Sequence, residues 1–521
     1  MRFFCFLLIS IPLLLISCHT KTENKIDIDK NLTIEQTVES ILSEEYSQSI
    51  GLDEKGRQLL HDFYKQRNFK PLWSNKKELN EIGSELKKLL KTPLQFGLSD
   101  KRFELKWETH PIVDEIIIVN GLTQSYNDLR YGMLDSSFNS LKSNNYIDLI
   151  SMDTLLDFSN KNYVKKIISW GPNDSIYQIL ANGLFEFVQQ NPINEEKVEI
   201  KTIKEDTLAA ISGTKKQLIA KKYLDSALEN DSTEFVKALK QFQSEHWINP
   251  NGIIGTNTVN ALTETNLEKA QRIAWAMEKQ RRKLNYPKRH ININIPEYML
   301  RMYNEDTLCS EHRIIVGKFE NQTPELKSNL HSIVVYPYWN VPYSIASKEI
   351  LPAAKRNSNY FEKNDMILLQ KGDTINPTSV NWKKIKENSF PYRVQQKPGY
   401  KNSLGILKFD FHNKYDVYFH DTPSKGLFNT VSRSYSHGCM RTEKPIDLAK
   451  VILELDENFI TKDTLDTLIA HTGINYKIKL KKQIPISIEY NSVIVKNQSI
   501  VILRDIYHRD EKFIKIMFEK S

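Results

Sequence analysis

The chain has 521 residues, of which 40% are hydrophobic and 26% are charged, and its formal net charge is +8. This composition is typical of soluble globular proteins and excludes the disordered and membrane-embedded extremes. The length exceeds what one hydrophobic core normally organises, so we expect about three or four domains. The positive charge would suit an anionic polymer as a partner, but ordinary surface solubility explains it more simply.

The first residues have the pattern of a secretory signal. Arg2 precedes an apolar run over residues 3–16, which is short for a membrane span. The run ends in Leu15-Ile16-Ser17-Cys18, which resembles a bacterial lipobox. The resemblance implies a lipoprotein signal peptide over residues 1–18, a lipid anchor on Cys18 and a tether over 19–34; the alternative is a plain signal peptide cut near Ser17. Both interpretations predict a protein of the periplasm or cell envelope and argue against nucleic acid as a partner.

The next region, residues 35–215, is predicted to be a helical domain because its apolar residues recur at helical spacing. Its acidic residues, such as Glu35, Glu39 and Asp53, fit solvated helix faces, and the region contains no catalytic constellation.

Residues 216–268 are predicted to form a small three-helix module. A helix carries Leu239, Phe242 and Gln243, an Asn-Gly turn follows, and Gly255 permits a tight entry into the next helix. The pattern Lys-x-Phe-Gln, followed by Asn-Gly-Ile-Ile-Gly-x-x-Thr-x-x-Ala-Leu, resembles the peptidoglycan-binding module of many cell-wall enzymes. The alternative is a helical hairpin without a ligand. Residues 269–288 are then predicted to form a connecting helix with a basic, solvated face.

From residue 289 the periodicity changes to that of strands. Residues 290–295 alternate polar and apolar, and further strand-like runs follow, which predicts a β-rich domain over 289–475. A polar stretch over 346–402 interrupts it, with a helix predicted at 346–356 and a loop at 391–399; an insertion of this length favours a lid. The remaining residues, 476–521, predict a β segment packed on this domain.

Two cysteines lie in the body of the chain. Cys309 is expected to have no role, or to be a small buried side chain. Cys439 follows Ser436-His437-Gly438, and His420 ends a strand-like run one loop earlier. A thiol is little ionised at neutral pH, but a neighbouring imidazole can take its proton and later return it to a leaving amine.

The surroundings of Cys439 fit acyl transfer. Gly438 leaves room for a substrate carbonyl, and the N–H groups of Gly438 and Cys439 could face an oxyanion. A helix predicted to begin at Lys444-Pro445 would slightly favour a thiolate. His437 is nearer to Cys439 in sequence, but we predict that His420, on a strand end, is the base. A zinc site made by His412, His420, His437 and Cys439 is the alternative, although these residues lack the compact spacing of structural zinc motifs.

The segment from Ser436 to Arg441, preceded by His420-Asp421-Thr422-Pro423-Ser424, resembles the signature of L,D-transpeptidase catalytic domains. Further matches are Val316-Gly317-Lys318, Thr323-Pro324, Trp339-x-Val341-Pro342 and Gly405-x-x-Lys408-Phe409. The spacing of Phe63-Tyr64, Trp73 and Tyr126 resembles the scaffold domain of the large periplasmic members. The resemblance implies a multidomain α+β protein: a helical N-terminal scaffold, the peptidoglycan-binding module, and a β-rich catalytic domain with an inserted lid.

The same resemblance implies roles for individual residues. Cys439 would be the nucleophile, His420 the general base and acid, and Gly438 with Cys439 the oxyanion hole. Site-shaping positions fall on Ser436, His437 and Arg441, and candidate substrate-binding positions on Trp339, Tyr418 and Asp421. Asp421 could orient the base through its carbonyl or side chain, but no carboxylate triad is implied.

The implied reaction is acyl transfer on peptidoglycan stem peptides. The enzyme would release D-alanine from a tetrapeptide stem and join the resulting thioester to the amine of a second stem, giving a 3→3 cross-link without metal or other cofactor. The alternatives are an L,D-carboxypeptidase or endopeptidase on the same stems, and a non-catalytic wall-binding lipoprotein.

Overall fold

The computed structural model describes residues 31–100, 107, 110–134, 149–194, 196–283, 285–357, 359–471 and 473–519. The predicted signal peptide, Cys18 and most of the tether lie outside the described residues. Within the ranges given, no helix has the length and apolar character needed to cross a membrane. The described chain forms two compact units. One is made from described residues up to 87, between 105 and 120 and between 148 and 156; the other holds the rest.

The N-terminal half is helical, as predicted. Its helices are α1 (Ile34–Ile41), α2 (Glu44–Ser49), α3 (Glu54–Gln66), α4 (Glu81–Leu90), α5 (Pro111–Tyr131), α6 (Leu149–Leu156), α7 (Tyr163–Ser169), α8 (Ser175–Gln190), α9 (Thr207–Ala220), α10 (Ser232–Glu245), α11 (Thr256–Thr263) and α12 (Asn266–Arg281). Side-chain caps fix several starts, including a capping box at Thr33 and another at Thr265. In the first unit, buried Glu115 accepts hydrogen bonds from the Tyr64 hydroxyl (2.8 Å) and from the N–H groups of Leu72 (2.6 Å) and Trp73 (2.7 Å).

The small helical module is larger than predicted. Helices α9, α10 and α11 share one apolar core, to which Ala210 and Leu218 of α9 contribute with Phe242 and Leu262. The predicted boundary at 215/216 therefore falls inside α9. The Asn-Gly turn is present, with Gly252 at φ +73°, and the side chain of Gln243 holds it by accepting from the Gly252 N–H at 2.9 Å.

Helix α12 is not the solvated connector that its basic residues suggested. Glu278 and Arg281 have fully buried side chains that pair at 3.2 Å. Glu278 also accepts from the N–H groups of Met133 (2.9 Å) and Leu134 (3.1 Å), and Arg281 donates to the carbonyls of two further residues, Phe96 and Gly97. The prediction was wrong because these charges satisfy backbone groups that are distant in sequence, so α12 is a core helix.

The C-terminal half carries the remaining elements: β1 (His290–Asn294), β2 (Met299–Asn304), β3 (Thr307–Gly317), β4 (Leu326–Val335), β5 (Trp339–Asn340), α13 (Tyr343–Ile345), α14 (Leu351–Arg356), α15 (Tyr360–Lys363), β6 (Met366–Gln370), β7 (Asp373–Ile375), β8 (Arg393–Gln396), β9 (Leu407–Phe411), β10 (Phe419–His420), β11 (Ser434–Ser436), β12 (Met440–Thr442), α16 (Pro445–Leu455), α17 (Lys462–Ala470), β13 (Tyr476–Glu489), β14 (Val493–Lys496), β15 (Ser499–Ile502) and α18 (Arg509–Phe518). The predicted α+β class is confirmed.

Eight strands form a sheet that closes on itself, in the order β3-β12-β10-β9-β4-β13-β1-β2, with β2 pairing back to β3. Alternate residues point into a common core, which includes Ile291, Ile333, Phe409, Phe419 and Met440. Strand β13 lies between β1 and β4. The segment from residue 476 was predicted to be a β segment packing on the domain, but its first part is a central strand of the sheet and its end is helix α18.

The rest of the C-terminal segment packs on α12. Trp275 donates from its indole N–H to Asp510 at 2.8 Å and stacks on Phe513 with ring centroids 4.7 Å apart. Lys279 donates to the Tyr490 carbonyl at 2.7 Å. The C-terminal residues therefore join the core helix to the closed sheet.

The predicted lid is a folded insertion with its own core and its own sheet, in the order β5-β8-β6-β7. We call residues 339–402 the insertion, because β5 belongs to this sheet and lies upstream of the predicted start at 346. The helix predicted over 346–356 is present as a π-helical turn (Ala346–Ile350) continued by α14. The loop predicted over 391–399 instead contains β8. Buried Asn402 joins the two ends of the insertion by donating to the carbonyls of Pro337 (3.0 Å) and Lys397 (2.9 Å).

Candidate active site

The register of two short strands brings the predicted catalytic pair together. Strands β10 and β12 are parallel, with Phe419 opposite Met440 and His420 opposite Arg441. Phe419 and Met440 are fully buried in the core. Because side chains alternate along a strand, His420 and Arg441 point to the opposite face, as does Cys439, one position before Met440. His420 and Cys439 are thus diagonal neighbours, roughly 7 Å apart at the backbone.

This face forms one side of a cavity of about 320 Å³, and the insertion forms the other. His420, Cys439, Ser436, His437 and Arg441 all line it. The remaining lining residues from outside the insertion are Ser403, Leu404 and Tyr418, and those from the insertion are Trp339, Pro342, Ile345, Glu349, Ile350, Tyr360, Asn364, Met366, Gln396 and Lys401. The structure therefore brings together most of the residues that the sequence singled out.

His420 is buried and neutral. Its Nδ1 donates to the carbonyl of Asp421, which can only accept, so Nδ1 carries the proton and Nε2 is left as an acceptor. Burial, and then the charge of Arg441, lower the pKa of His420 to about 3, while hydrogen bonds to the carbonyls of Asp421 and Leu404 oppose the shift. The imidazole therefore has the protonation state of a general base across the neutral range.

Cys439 is likewise protonated at rest. Burial raises the pKa of its thiol, and the Tyr418 backbone and Lys408 oppose the shift. The sequence predicted that the start of α16 favours a thiolate, but the loss of hydration outweighs that effect. The resting site is a neutral thiol beside a neutral imidazole.

The turn before Cys439 is held by Ser436 from within and by Thr323 from a distant part of the chain. The Ser436 hydroxyl donates to the Cys439 carbonyl at 2.5 Å and accepts from the Gly438 N–H at 3.2 Å. Thr323 accepts from the Gly317 N–H at 2.9 Å and donates to the Gly438 carbonyl at 2.8 Å. Ser436 is thus placed to shape the turn.

The predicted oxyanion hole needs a correction at Gly438. Its N–H already donates to Ser436, and Gly438 does not line the cavity. A Cβ added there would meet no heavy atom closer than 3.8 Å, so glycine is needed for its φ of +112° and not to leave room for a substrate. The Cys439 N–H remains as a candidate donor.

Tyr418 and Trp339 lie beside the thiol. Burial, followed by the adjacent Cys439, holds the pKa of the Tyr418 hydroxyl well above its ordinary value, with the Trp339 side chain acting in the opposite direction. Lys408 Nζ lies 4.1 Å from the centroid of the Tyr418 ring. The tyrosine therefore stays protonated and can donate a hydrogen bond.

Asp421 is not placed to bind a substrate in the cavity. Its carboxylate accepts from the Ile406 N–H at 3.0 Å and pairs with Lys425, and the residue does not line the cavity. The predicted substrate-binding role therefore does not fit its position, whereas its carbonyl orients His420. Cys309 is exposed, so of its two predicted alternatives the buried apolar side chain is wrong. His412 packs against His331, with ring centroids 4.3 Å apart, and does not line the cavity with the other zinc candidates. Among the described residues, no group of three or more His, Cys, Asp or Glu side chains is arranged to hold a metal ion.

Comparison with known proteins identifies the domain that carries this site. Residues 288–465 match the family model described as the L,D-transpeptidase catalytic domain. The chain contains an L,D-transpeptidase catalytic domain. Residues 58–184 match the model of a scaffold domain, so the catalytic and scaffold parts of the predicted resemblance are confirmed, whereas the peptidoglycan-binding module stays a prediction.

One curated relative and one solved structure are similar to parts of the chain. A Haemophilus influenzae protein named "Putative L,D-transpeptidase" is 37% identical over 223 residues, which are 43% of this chain and 45% of that protein. The chain thus matches less than half the length of this relative. The solved structure of the Ldtfm-avibactam carbamoyl enzyme covers 39% of this chain and 49% of that chain at 11% identity, with a TM-score of 0.16.

The family match ends at residue 465, whereas the closed sheet of the L,D-transpeptidase domain needs β13. The C-terminal segment also reaches the site. The Tyr507 hydroxyl donates to the Gly317 carbonyl at 2.5 Å and accepts from the Thr323 N–H at 3.2 Å. Thr323 in turn holds Gly438, so the end of the chain supports the turn that carries Cys439.

Three residues at the site of the L,D-transpeptidase domain were missed by sequence reasoning. Glu349 of the insertion lies 2.5 Å from Nε2 of His437. Asn249 of the helical module donates to the Tyr435 hydroxyl at 3.1 Å and accepts from the Ser432 N–H at 3.0 Å. Thr323 lay in a quoted motif but was given no role. No local pattern marks Glu349 or Asn249, because their partners are 88 and more than 180 residues away.

Much of the net charge lies on the insertion. Residues 339–402 contain 11 Lys or Arg against 5 Asp or Glu, a balance of +6 out of +8 for the whole chain. All 11 basic residues are exposed, and within the described part of the chain the ion pairs include only one of them, Lys401 with Asp365 at 3.6 Å. One side of the cavity is therefore formed by an insertion of net positive charge, which favours anionic substrates.

Proposed function

We propose that the protein is a peptidoglycan L,D-transpeptidase that forms 3→3 cross-links through a thioester on Cys439. The observation that carries the proposal is the shared face of Cys439 and His420 in a cavity covered by a basic insertion. Peptidoglycan stems carry free carboxylates, and the charge of the insertion suits them.

In the first half-reaction, Cys439 Sγ attacks the carbonyl carbon between the third residue of a tetrapeptide stem and its terminal D-alanine. His420 Nε2 takes the thiol proton as the S–C bond forms, so no resting thiolate is needed. The C–N bond then breaks, and the imidazolium returns the proton to the amine of the departing D-alanine.

In the second half-reaction, the side-chain amine of another stem attacks the thioester carbonyl. The C–S bond breaks, and a proton from the attacking nitrogen returns to Cys439 by way of His420. Because His420 is tied by Nδ1 to Asp421, the same nitrogen serves both half-reactions.

The oxyanion formed in each step needs donors that are free to turn towards it. We assign this role to the Cys439 N–H and the Tyr418 hydroxyl, because the Gly438 N–H is already bonded to Ser436. Removal of one such donor typically costs about 100- to 1000-fold in kcat.

The test uses the soluble chain and a purified disaccharide-tetrapeptide, with products followed by mass spectrometry. We expect a dimer lacking one D-alanine, and neither dimer nor free D-alanine with Cys439→Ala. Cys309→Ala is the matched control, because it removes the exposed cysteine outside the cavity. Tripeptide and D-alanine without dimer would replace the transpeptidase with a carboxypeptidase. Unchanged substrate would overturn the enzymatic function.

We also propose that the chain acts in the periplasm or cell envelope, held to a membrane by a lipid on Cys18, and that the helical module contacts the wall. Labelling with an alkyne fatty acid should mark the wild type and not Cys18→Ser. Cosedimentation with purified sacculi tests wall binding by the intact chain, and no cosedimentation would remove that role from the module.

A further inference from the structure

The charges lining the cavity are unevenly distributed. Lys401 and Arg441 are cationic, and among the described residues that line it Glu349 is the only carboxylate. Glu349 belongs to the π-helical turn at the start of the insertion, where Ala346, Ser347 and Ile350 are buried. Such turns often occur at functional sites. Burial of the neighbouring residues leaves Glu349 turned towards the cavity and 52% exposed.

Glu349 meets the catalytic turn at His437. Its Oε1 lies 2.5 Å from His437 Nε2, and His437 is two residues before Cys439. The His437 side chain is 34% exposed, so a molecule in the cavity can reach both groups. If the Nε2–H of His437 donates to the carboxylate, Nδ1 is left as a proton acceptor.

We infer that Glu349 and His437 form the subsite that receives the amine of the acceptor stem. This inference rests on the proposed function, whose second half-reaction needs a side-chain amine. A lysine-like side-chain amine has a pKa of about 10.4 and therefore arrives as an ammonium. An ammonium is repelled by a surface with 11 basic residues and is attracted to a carboxylate facing the cavity.

The proton balance assigns separate roles to the two side chains. Glu349 binds the ammonium by charge, and His437 Nδ1 takes one proton from it and releases that proton to water. The nitrogen lone pair then attacks the thioester carbon, the C–S bond breaks, and the second nitrogen proton passes through His420 to Cys439. Glu349 is thus a specificity-determining residue that selects a cationic acceptor over water.

The test loads Cys439 from a tetrapeptide stem and measures how the acyl-enzyme divides between two nucleophiles. One is a stem with a free side-chain amine, which is cationic, and the other is hydroxylamine, which is mostly neutral at pH 7. We expect Glu349→Gln to raise the KM for the stem about 10-fold and to leave the KM for hydroxylamine within about twofold, since the loss of one charge-assisted contact costs about 1.4 kcal/mol. His437→Asn should lower kcat for the cationic acceptor more than for hydroxylamine.

The matched control is Glu362→Gln, an exposed carboxylate of the same insertion that does not line the cavity. It should behave as wild type with both nucleophiles. Equal losses with both nucleophiles in Glu349→Gln would mean that the contact only fastens the insertion, and an unchanged KM would also overturn the inference. A wild type that forms no acyl-enzyme would overturn the proposed function itself.

Discussion

The environment of His420 predicts an unusual dependence of stability on pH. The pKa of His420 is held at about 3 by burial and by Arg441, whereas an unfolded histidine has a pKa of 6.5. Below pH 6.5 the imidazole of His420 is protonated in the unfolded chain but neutral in the folded chain. Its contribution to the free energy of unfolding is therefore fully present above pH 6.5 and is lost as the pH falls towards 3. Each pH unit lowers the free energy of unfolding by about 1.4 kcal/mol, so the loss between pH 6.5 and pH 3 is about 5 kcal/mol. Between pH 6.5 and 4.5 the loss is about 2.7 kcal/mol.

The perturbation is acidification of the wild type beside His420→Gln, which keeps a polar side chain but cannot titrate. The free energy of unfolding in urea is measured for both proteins at pH 7.5 and pH 4.5. The other eleven histidines are common to both and cancel in the difference. The wild type should lose about 2.7 kcal/mol more than the variant over this interval.

The acylation rate should not follow this loss of stability. A general base acts in its neutral form, so the acylation rate should not fall as the pH drops through 6.5. Parallel loss of stability in both proteins, or an acid limb of kcat/KM near pH 6.5, would refute the assignment of a neutral buried base. An NMR titration of His420, identified by its absence in the variant, measures the same quantity directly.

Four further substitutions test other parts of the structure. Glu278→Gln should lower the free energy of unfolding by about 3–5 kcal/mol in thermal unfolding, because it leaves Arg281 buried without a charged partner. The control is Glu268→Gln at an exposed ion pair, which should lower it by less than about 1 kcal/mol. Asn249→Ala removes the hydrogen bonds of this residue to Ser432 and Tyr435, and burst kinetics should show slower acylation with little change in melting temperature. Gly438→Ala places a side chain at φ +112°, which should lower the free energy of unfolding by about 1–3 kcal/mol. It should also abolish acylation, although an added Cβ would not collide with its neighbours.

The catalytic pair was predictable because its signal is local. A strand-like run ends at His420, and a glycine turn and a scarce cysteine follow one loop later, which is compatible with two neighbouring strands. The side on which each residue points then follows from the period of two. The protonation states were not predictable, because burial is a property of the assembled insertion and sheet. That is why the expected thiolate became a neutral thiol.

The predictions were wrong for elements whose contacts are distant in the sequence. The basic residues of α12 were assigned to solvent because their pattern alone cannot show that Arg281 meets the carbonyls of Phe96 and Gly97. Strand β13 has a recognisable strand pattern, but no local feature shows that it pairs with β1 and β4. For α12 and β13 the type of element was therefore readable from the sequence, and the position of the element in the sheet or core was not.

The turn that carries Cys439 is held from three parts of the chain. Asn249 of the helical module contacts its approach at Ser432, Glu349 of the insertion contacts His437, and Tyr507 holds Thr323, which donates to Gly438. Each contact reaches a different residue, so loss of one leaves the other two in place. Glycine can also adopt other backbone conformations, so the turn at Gly438 depends on these contacts in addition to the internal hydrogen bonds of Ser436. We therefore expect substitutions at these three contacts to lower the acylation rate more than additively when combined, because each contact restrains the same segment. Double-mutant cycles on acylation of Cys439 measure this coupling, and strictly additive losses would show that the three contacts act independently.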